Sequence, residues 1–183
     1  MISFTFVTQS SNKTAEVERI LDIKLKHRYL DLPEIQAVEL EEVVAYKAQY
    51  AHEALGKKPV MIEDTGLFIE AWNGLPGALV KWFVERVGPV GICNMMHEFP
   101  NKNALAKTVV ATYDGQIQIF TGKVEGRIAL APAGEGGFGW DKVFIPNGAV
   151  RTFAEMPPDE KDKYSMRRLA FKAMMAYYSE SLT

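Results

Sequence analysis

Two alternating, β-branched stretches, Ala104 to Tyr113 and Gln116 to Leu130, meet at Asp114-Gly115. An Asp-Gly pair accepts positive φ at little cost, and a two-residue period marks half-buried strands, so an antiparallel hairpin is expected there. Upstream, strand and helix signals alternate. Ile2 to Val7 reads as a short buried strand. Ser10-Ser11-Asn12 forms an N-cap cluster ahead of Val17, Ile20 and Leu21 at helical spacing. Leu40, Val43, Val44, Ala48, Ala51 and Leu55 give a second helix face that ends at Gly56. Pro59 to Ile62 reads as a strand running into Glu63-Asp64, and Gly74 to Gly77 as a turn. Ala78 to Val87 and Val90 to Phe99 read as helices. Val143 to Ile145 and Thr152 to Glu155 add short strands, and Met166, Leu169, Ala170, Ala173, Met174 and Tyr177 a terminal helix. The sum is a mixed α/β fold.

With 183 residues the chain suits one domain, 1–183, with no repeat or linker to divide it. A formal charge of −2 gives no electrostatic reason to hold a nucleic-acid backbone. Cys93 is the only cysteine, so no intrachain disulfide is expected, and the N-terminus lacks a basic, then apolar, leader. No apolar run approaches the roughly 20 residues that span a bilayer. A cytoplasmic protein that binds neither membrane nor nucleic-acid polymer is expected.

Three constellations carry chemistry. Phe138-Gly139-Trp140-Asp141 follows Gly134, Gly136 and Gly137 and precedes Phe153-Ala154-Glu155-Met156. Aromatic rings stack on flat bases, a carboxylate accepts from base N–H groups, and glycines allow close backbone approach. Glu63 and Asp64 follow an apolar strand, and Glu34 stands in a loop. Mg²⁺ takes one or two carboxylates with water and phosphate oxygens, so Glu34 and Asp64 suffice for it, and a neighbouring carboxylate such as Glu63 has the chemistry of a general base. The same acids also read as solvated caps and turns. Lys13 opens the first helix, where free N–H groups favour anions, while Lys47 lies beside the apolar face of its helix and Lys81 precedes Trp82-Phe83. Each lysine alone is equally a snorkelling surface residue. His27, His52 and His97 stand isolated, Cys93 reads as a small core residue, and Glu39, Glu41 and Glu42 as a solvated helix start.

Taken in order, Thr8 to Lys13, Asp31 to Glu34, Lys47-Ala48, Glu63 to Leu67, Leu75 to Gly77, Phe138 to Asp141, Phe153 to Met156, Lys161 and Ser165 to Arg167 resemble the inosine triphosphate pyrophosphatase family over nearly the whole chain. The resemblance implies an elongated, twisted mixed sheet flanked by helices, with two lobes around a nucleotide-binding cleft, in a homodimer. It implies Mg²⁺-dependent cleavage of ITP, dITP and XTP to the monophosphate and pyrophosphate, a nucleotide-pool sanitising activity. Thr8, Ser10, Lys13, Lys47 and Lys81 would hold phosphates, Glu34 and Asp64 the metal, and Asp64 and Glu63 would serve catalysis. Phe138, Trp140, Asp141, Lys161, Ser165, Met166 and Arg167 would form the base pocket.

The chain departs from the family pattern at Met166, where the family has histidine, and at Gln9 and Ser10, where it has Gly-Asn. A thioether donates no hydrogen bond, so two other readings stand: a pyrophosphatase with altered base preference, or a nucleotide-binding module without turnover. Met166 equally reads as a packing residue beside Leu169 and Ala173.

Overall fold

β1 (Thr5–Val7) is three residues long and wholly buried. Its side chains can all be apolar or satisfied because it lies between two parallel neighbours, β2 (His27–Arg28) and β3 (Val60–Ile69). The structure, a computed structural model, describes residues 3–180. Ile2, expected in the first strand, lies outside them. Helix α1 (Ser11–Leu21) follows β1, and α2 (Leu40–Ala54) connects β2 to β3. Next come β4 (Pro76–Gly77), α3 (Val80–Arg86) and α4 (Gly88–Met95), then β5 (Asn103–Tyr113), β6 (Ile117–Ile128) and β7 (Phe144–Pro146), and last α5 (Pro158–Lys161) and α6 (Met166–Glu180). The strands form one open, mixed sheet in the order β2-β1-β3-β5-β6-β7, with β4 paired to β3. β5 and β6 are adjacent and joined by three residues, a link too short for a parallel crossover, so the expected hairpin is present.

The chain divides into two compact units. The first holds 1–65, 108–122 and 167–183, and the second holds 66–107 and 123–166. In the first, Phe6, Val17, Met61, Val110, Ala170, Phe171 and Met174 form the core. In the second, Leu67, Ile69, Ile92, Trp140, Phe144, Phe153 and Met166 do so. Cys93 is buried in that second core, which pushes its thiol pKa up. His52 is buried and internally satisfied, with Nδ1 2.9 Å from the Lys58 carbonyl oxygen. No helix among the described residues is long and apolar enough to cross a membrane.

Three expectations fail for local reasons. β3 does not stop at Ile62 but runs on to Ile69, so Glu63 and Asp64 lie within a strand. Their neighbours explain it, because Leu67 and Phe68 pair with Gly77 and Pro76 and carry the ladder past the acids. Thr152 to Glu155 is not a strand: Thr152 caps a 3-10 turn over Phe153–Glu155, and the Glu155 carboxylate accepts from the Thr152 N–H at 2.7 Å. Thr followed three residues later by Glu is a capping box, and it outweighs the β propensity of Thr and Phe. In α6, Leu169 and Tyr177 are exposed while Ala170, Phe171 and Met174 are buried with Arg167. The inner face is therefore rotated by one residue from the expected one, and Arg167 leads it.

Candidate active site

The strand order β2-β1-β3 makes the carboxyl end of β1 a topological switch point. The chain leaves β1 toward β2 on one side, and β3 occupies the other. In open α/β sheets the crevice beyond such strand ends is where ligands sit. Here the loop Thr8 to Ser10 fills that position and feeds α1. The Thr8 hydroxyl accepts from the Ser10 N–H at 3.1 Å, and the Ser10 hydroxyl accepts from the Lys13 N–H at 3.2 Å, which makes Ser10 the N-cap. The parallel register pairs Phe6 with Met61, and two residues further on it sets Thr8 level with Glu63. Lys13, one turn into α1, thereby reaches β3.

Lys13 Nζ lies 3.1 Å from Glu63 Oε2 and 3.2 Å from Asp64 Oδ1. Lys47 comes from the inner face of α2, at helical spacing from Leu40, Val43 and Val44, where an ammonium needs anionic partners. It finds two: Nζ is 2.7 Å from Glu34 Oε1 and 2.8 Å from Asp64 Oδ2. Asp64 thus has one oxygen on each lysine, and the Thr65 N–H also donates to Oδ1 at 2.9 Å. Glu34, Lys47, Asp64 and Lys13 converge, an arrangement that spacing alone did not reveal.

Behind them stands a second charge group. Arg167 is 1% exposed. Its Nη2 lies 3.2 Å from Glu63 Oε1 and donates to the Thr65 hydroxyl, while Nη1 pairs with Glu16 on α1. Thr65 donates to Glu63 Oε1 and shares a hydrogen bond with Thr108 at 2.8 Å. Glu63 is therefore fully enclosed, with a cation on each oxygen, and this geometry suits an anchor for β3 better than a base that meets water. Arg167, expected at the base edge, directs its guanidinium to Glu16, Glu63 and Thr65. Glu16 was missed from the sequence. Its one signal was its position, three residues after Lys13 and next to Val17, on the face α1 turns inward.

The electrostatics follow from these contacts. Burial opposes charge on Asp64, but Lys13 and Lys47 outweigh it and hold the carboxyl far below the usual carboxylate range. Burial likewise opposes charge on Glu63, and Arg167 and Lys13 hold it low. Lys13 and Lys47 are desolvated yet raised by their carboxylates. Depressed carboxyl pKa values contribute stability that is complete above about pH 4, the unfolded carboxylate value, and is lost as pH falls toward the folded values. In EDTA, the urea midpoint of the wild type is expected to fall between about pH 4 and pH 2 more steeply than that of Asp64→Asn. Parallel profiles for the two proteins would contradict this account.

The second unit holds most of the expected base residues. Asp141 Oδ2 accepts from Lys161 Nζ at 2.8 Å and from the Phe138 N–H at 2.8 Å. Lys161 Nζ stands 5.1 Å from the centre of the Phe138 ring. Gly137 has φ +68°, and a Cβ there would lie 2.3 Å from Asp141 Oδ2, so this glycine is required for the carboxylate to reach under the loop. Phe138 is half-buried and offers a ring. Trp140 is buried among Phe144 and Phe153, so it packs the wall behind the loop. Ser165 is buried beside the turn that ends at Tyr164. Met166 is 2% exposed within the same apolar cluster. Met166→His is accordingly expected to lower unfolding free energy by about 1–3 kcal/mol, the cost of an imidazole among apolar groups, measured by urea unfolding. A variant as stable as wild type would refute that packing role. Lys81 is exposed on α3, with its ammonium 5.8 Å from the Trp82 ring centre, and it belongs to a different unit from Lys13 and Lys47.

Residues 4–177 match the model of the Ham1 family. The chain belongs to the Ham1 family. Inosine triphosphate pyrophosphatase 1 of Trypanosoma cruzi is 42% identical over 180 residues, covering 95% of this chain and 91% of that protein. The dITP/XTP pyrophosphatase of Thermococcus kodakarensis is 38% identical, covering 97% of each. A HAM1 protein from Coxiella burnetii has the same fold, with a TM-score of 0.83 at 26% identity over 98% of this chain and 100% of that one. The motif resemblance and the mixed α/β expectation are thereby borne out.

Proposed function

We propose that this chain, working as one domain, is a Mg²⁺-dependent nucleoside triphosphate pyrophosphatase. It would hydrolyse ITP, dITP and XTP to the monophosphate and pyrophosphate as a cytoplasmic, homodimeric nucleotide-pool sanitising enzyme. The observation that carries the reading is Asp64 set between two phosphate-grade cations, Lys13 and Lys47, with Glu34 on the same ammonium. Family membership and relatives named for ITP and for dITP/XTP support the substrate class.

The donor set suits the metal. Two hard carboxylate oxygens meet at one cation, and Glu34 is 44% exposed, so solvent and phosphate oxygens have access to the remaining positions that Mg²⁺ requires. Glu34 and Asp64 would hold it, and when bound it neutralises phosphate charge and makes coordinated water more acidic. Asp64 contributes an anion fixed by its two lysines, able to accept a hydrogen bond from the attacking water. Its low basicity points to orientation and charge as its contribution, more than to proton abstraction. The N-terminus of α1, with the Thr8 and Ser10 hydroxyls and Lys13, faces the phosphates with donors. Phe138 would stack on the base, and Asp141 and Lys161 would hold that ring in place and present polar groups to the base edge. Arg167 would serve indirectly, by fixing Glu63 and so the strand that carries Asp64.

The test is pyrophosphate release with Mg²⁺ from ITP, dITP, XTP, the standard triphosphates and modified pyrimidine triphosphates. Turnover highest on the first three supports the proposal. The reading of an altered base preference rests on one observation, that Met166 is buried and has no donor. Preferred turnover of another base in the panel would establish that reading. Tight binding of a triphosphate without turnover would leave a binding module.

A further inference from the structure

Lys47 occupies an unusual position for a phosphate-binding lysine. Its side chain is 9% exposed, and its partners are Glu34 Oε1 at 2.7 Å and Asp64 Oδ2 at 2.8 Å. Among the described residues no backbone carbonyl or hydroxyl holds this ammonium. The two carboxylates that hold it are the two that would ligate the metal. By contrast, Lys13 is shared between Glu63 and Asp64 Oδ1 and also reaches the Glu63 carbonyl oxygen at 3.4 Å, so it keeps partners whatever Glu34 does. Asp64 Oδ1 is already held by Lys13 and the Thr65 N–H, so a divalent ion on Glu34 and Asp64 would meet Asp64 through Oδ2, the oxygen that Lys47 now uses.

We infer that Lys47 is the resident cation of the nucleotide-free site, competing with the metal for Glu34 and Asp64 and releasing them when a triphosphate gives its ammonium another anion. The inference rests on the proposed function for the identity of metal and substrate. Without nucleotide, a metal that enters must displace an ammonium with no other partner and leave it desolvated beside a dication, which is costly. With a triphosphate present, the ammonium has phosphate oxygens to move to, and that cost disappears. Metal and triphosphate then bind with positive coupling, and thermodynamic reciprocity requires each to tighten the other by the same factor. The site would discriminate against the free ion and take metal and nucleotide together. Lys47 is in this sense a positioning residue that also sets the order of assembly.

Mn²⁺ serves as the probe, with free ion followed by electron paramagnetic resonance and binding heat by calorimetry. The wild type is expected to bind Mn²⁺ weakly alone, and at least about tenfold more tightly with a non-hydrolysable triphosphate analogue, within the usual range of coupling factors. Lys47→Met is expected to bind Mn²⁺ alone about tenfold more tightly than wild type, and to lose most of the enhancement by the analogue. Lys47→Gln keeps a polar side chain for the site and is expected to behave alike, which guards against a misfolded Met variant; circular dichroism checks both. Equal or weaker Mn²⁺ binding by both folded variants, in a wild type that shows analogue-enhanced binding and turnover, overturns the role of Lys47 and leaves the enzymatic reading intact. A wild type that neither binds Mn²⁺ with the analogue nor turns over any triphosphate overturns both.

Discussion

Asp64→Asn is expected to lower kcat for ITP hydrolysis by about 10²–10³, the usual range for loss of one preorganised polar group at a reacting centre, with additional loss from the metal site. The substitution keeps shape and removes charge. Asp64 meets Lys13 with one oxygen and Lys47 with the other, so whichever way the new amide turns, its NH₂ faces an ammonium and one former contact becomes repulsive. One of the two carboxylates available to Mg²⁺ is also gone, leaving Glu34, whose side chain is 44% exposed. The fold should persist, because Glu63 still holds Lys13 and Glu34 still holds Lys47. The measurement is steady-state pyrophosphate release beside a binding assay with a triphosphate analogue. Activity within tenfold of wild type in a folded variant would remove Asp64 from the centre of the mechanism. Loss of turnover with binding retained would assign it to the reaction.

The sequence made the elements legible wherever local chemistry agreed with the fold. Ser10 as an N-cap, the α2 face ending at Gly56, and the strand pair around Asp114-Gly115 each depend on neighbours within a few residues. It misled where two local signals competed, as at Thr152 to Glu155, where a capping box outweighed β-branched propensity, and at β3, where the turn signal of Gly74 to Gly77 hid the two-residue strand β4 that pairs back onto Leu67 and Phe68. The site was half legible for the same reason. Motifs named Lys13, Lys47, Glu34 and Asp64 but left each open to a surface reading, since their meeting depends on how β1, β3 and α2 pack. Glu16 and Arg167 are 151 residues apart, and no spacing rule links them. Trp140 looked like a ligand because aromatic residues near a glycine run suggest a pocket, and Met166 was placed there by the family resemblance with packing as its other reading; both fill the core of the second unit.

Arg167→Met should cost about 3–5 kcal/mol of stability, the range for removing one partner of a buried ion pair. That is a large fraction of the roughly 5–15 kcal/mol available to a domain. Arg167 is fully buried and joins three side chains from two elements: Glu16 on α1, and Glu63 and Thr65 on β3. Methionine replaces the aliphatic stem but not the guanidinium, so the loss combines the removed charge with the space that group fills. Glu63, with no exposed side-chain surface, would retain Lys13 and Thr65 but lose the guanidinium on Oε1, and Glu16 would lose its contact as well. Arg167→Lys keeps a charge but not the fork that spans Glu16 and Glu63, so an intermediate loss is expected. Because Glu63 and Arg167 interact directly, adding Glu63→Gln to Arg167→Met should cost less than the two single losses combined. Urea unfolding of the four proteins decides the matter: simple additivity would mean that the pair is not coupled. A loss below about 1 kcal/mol for Arg167→Met, typical of an exposed pair, would mean that Arg167 does not anchor the strand carrying Asp64.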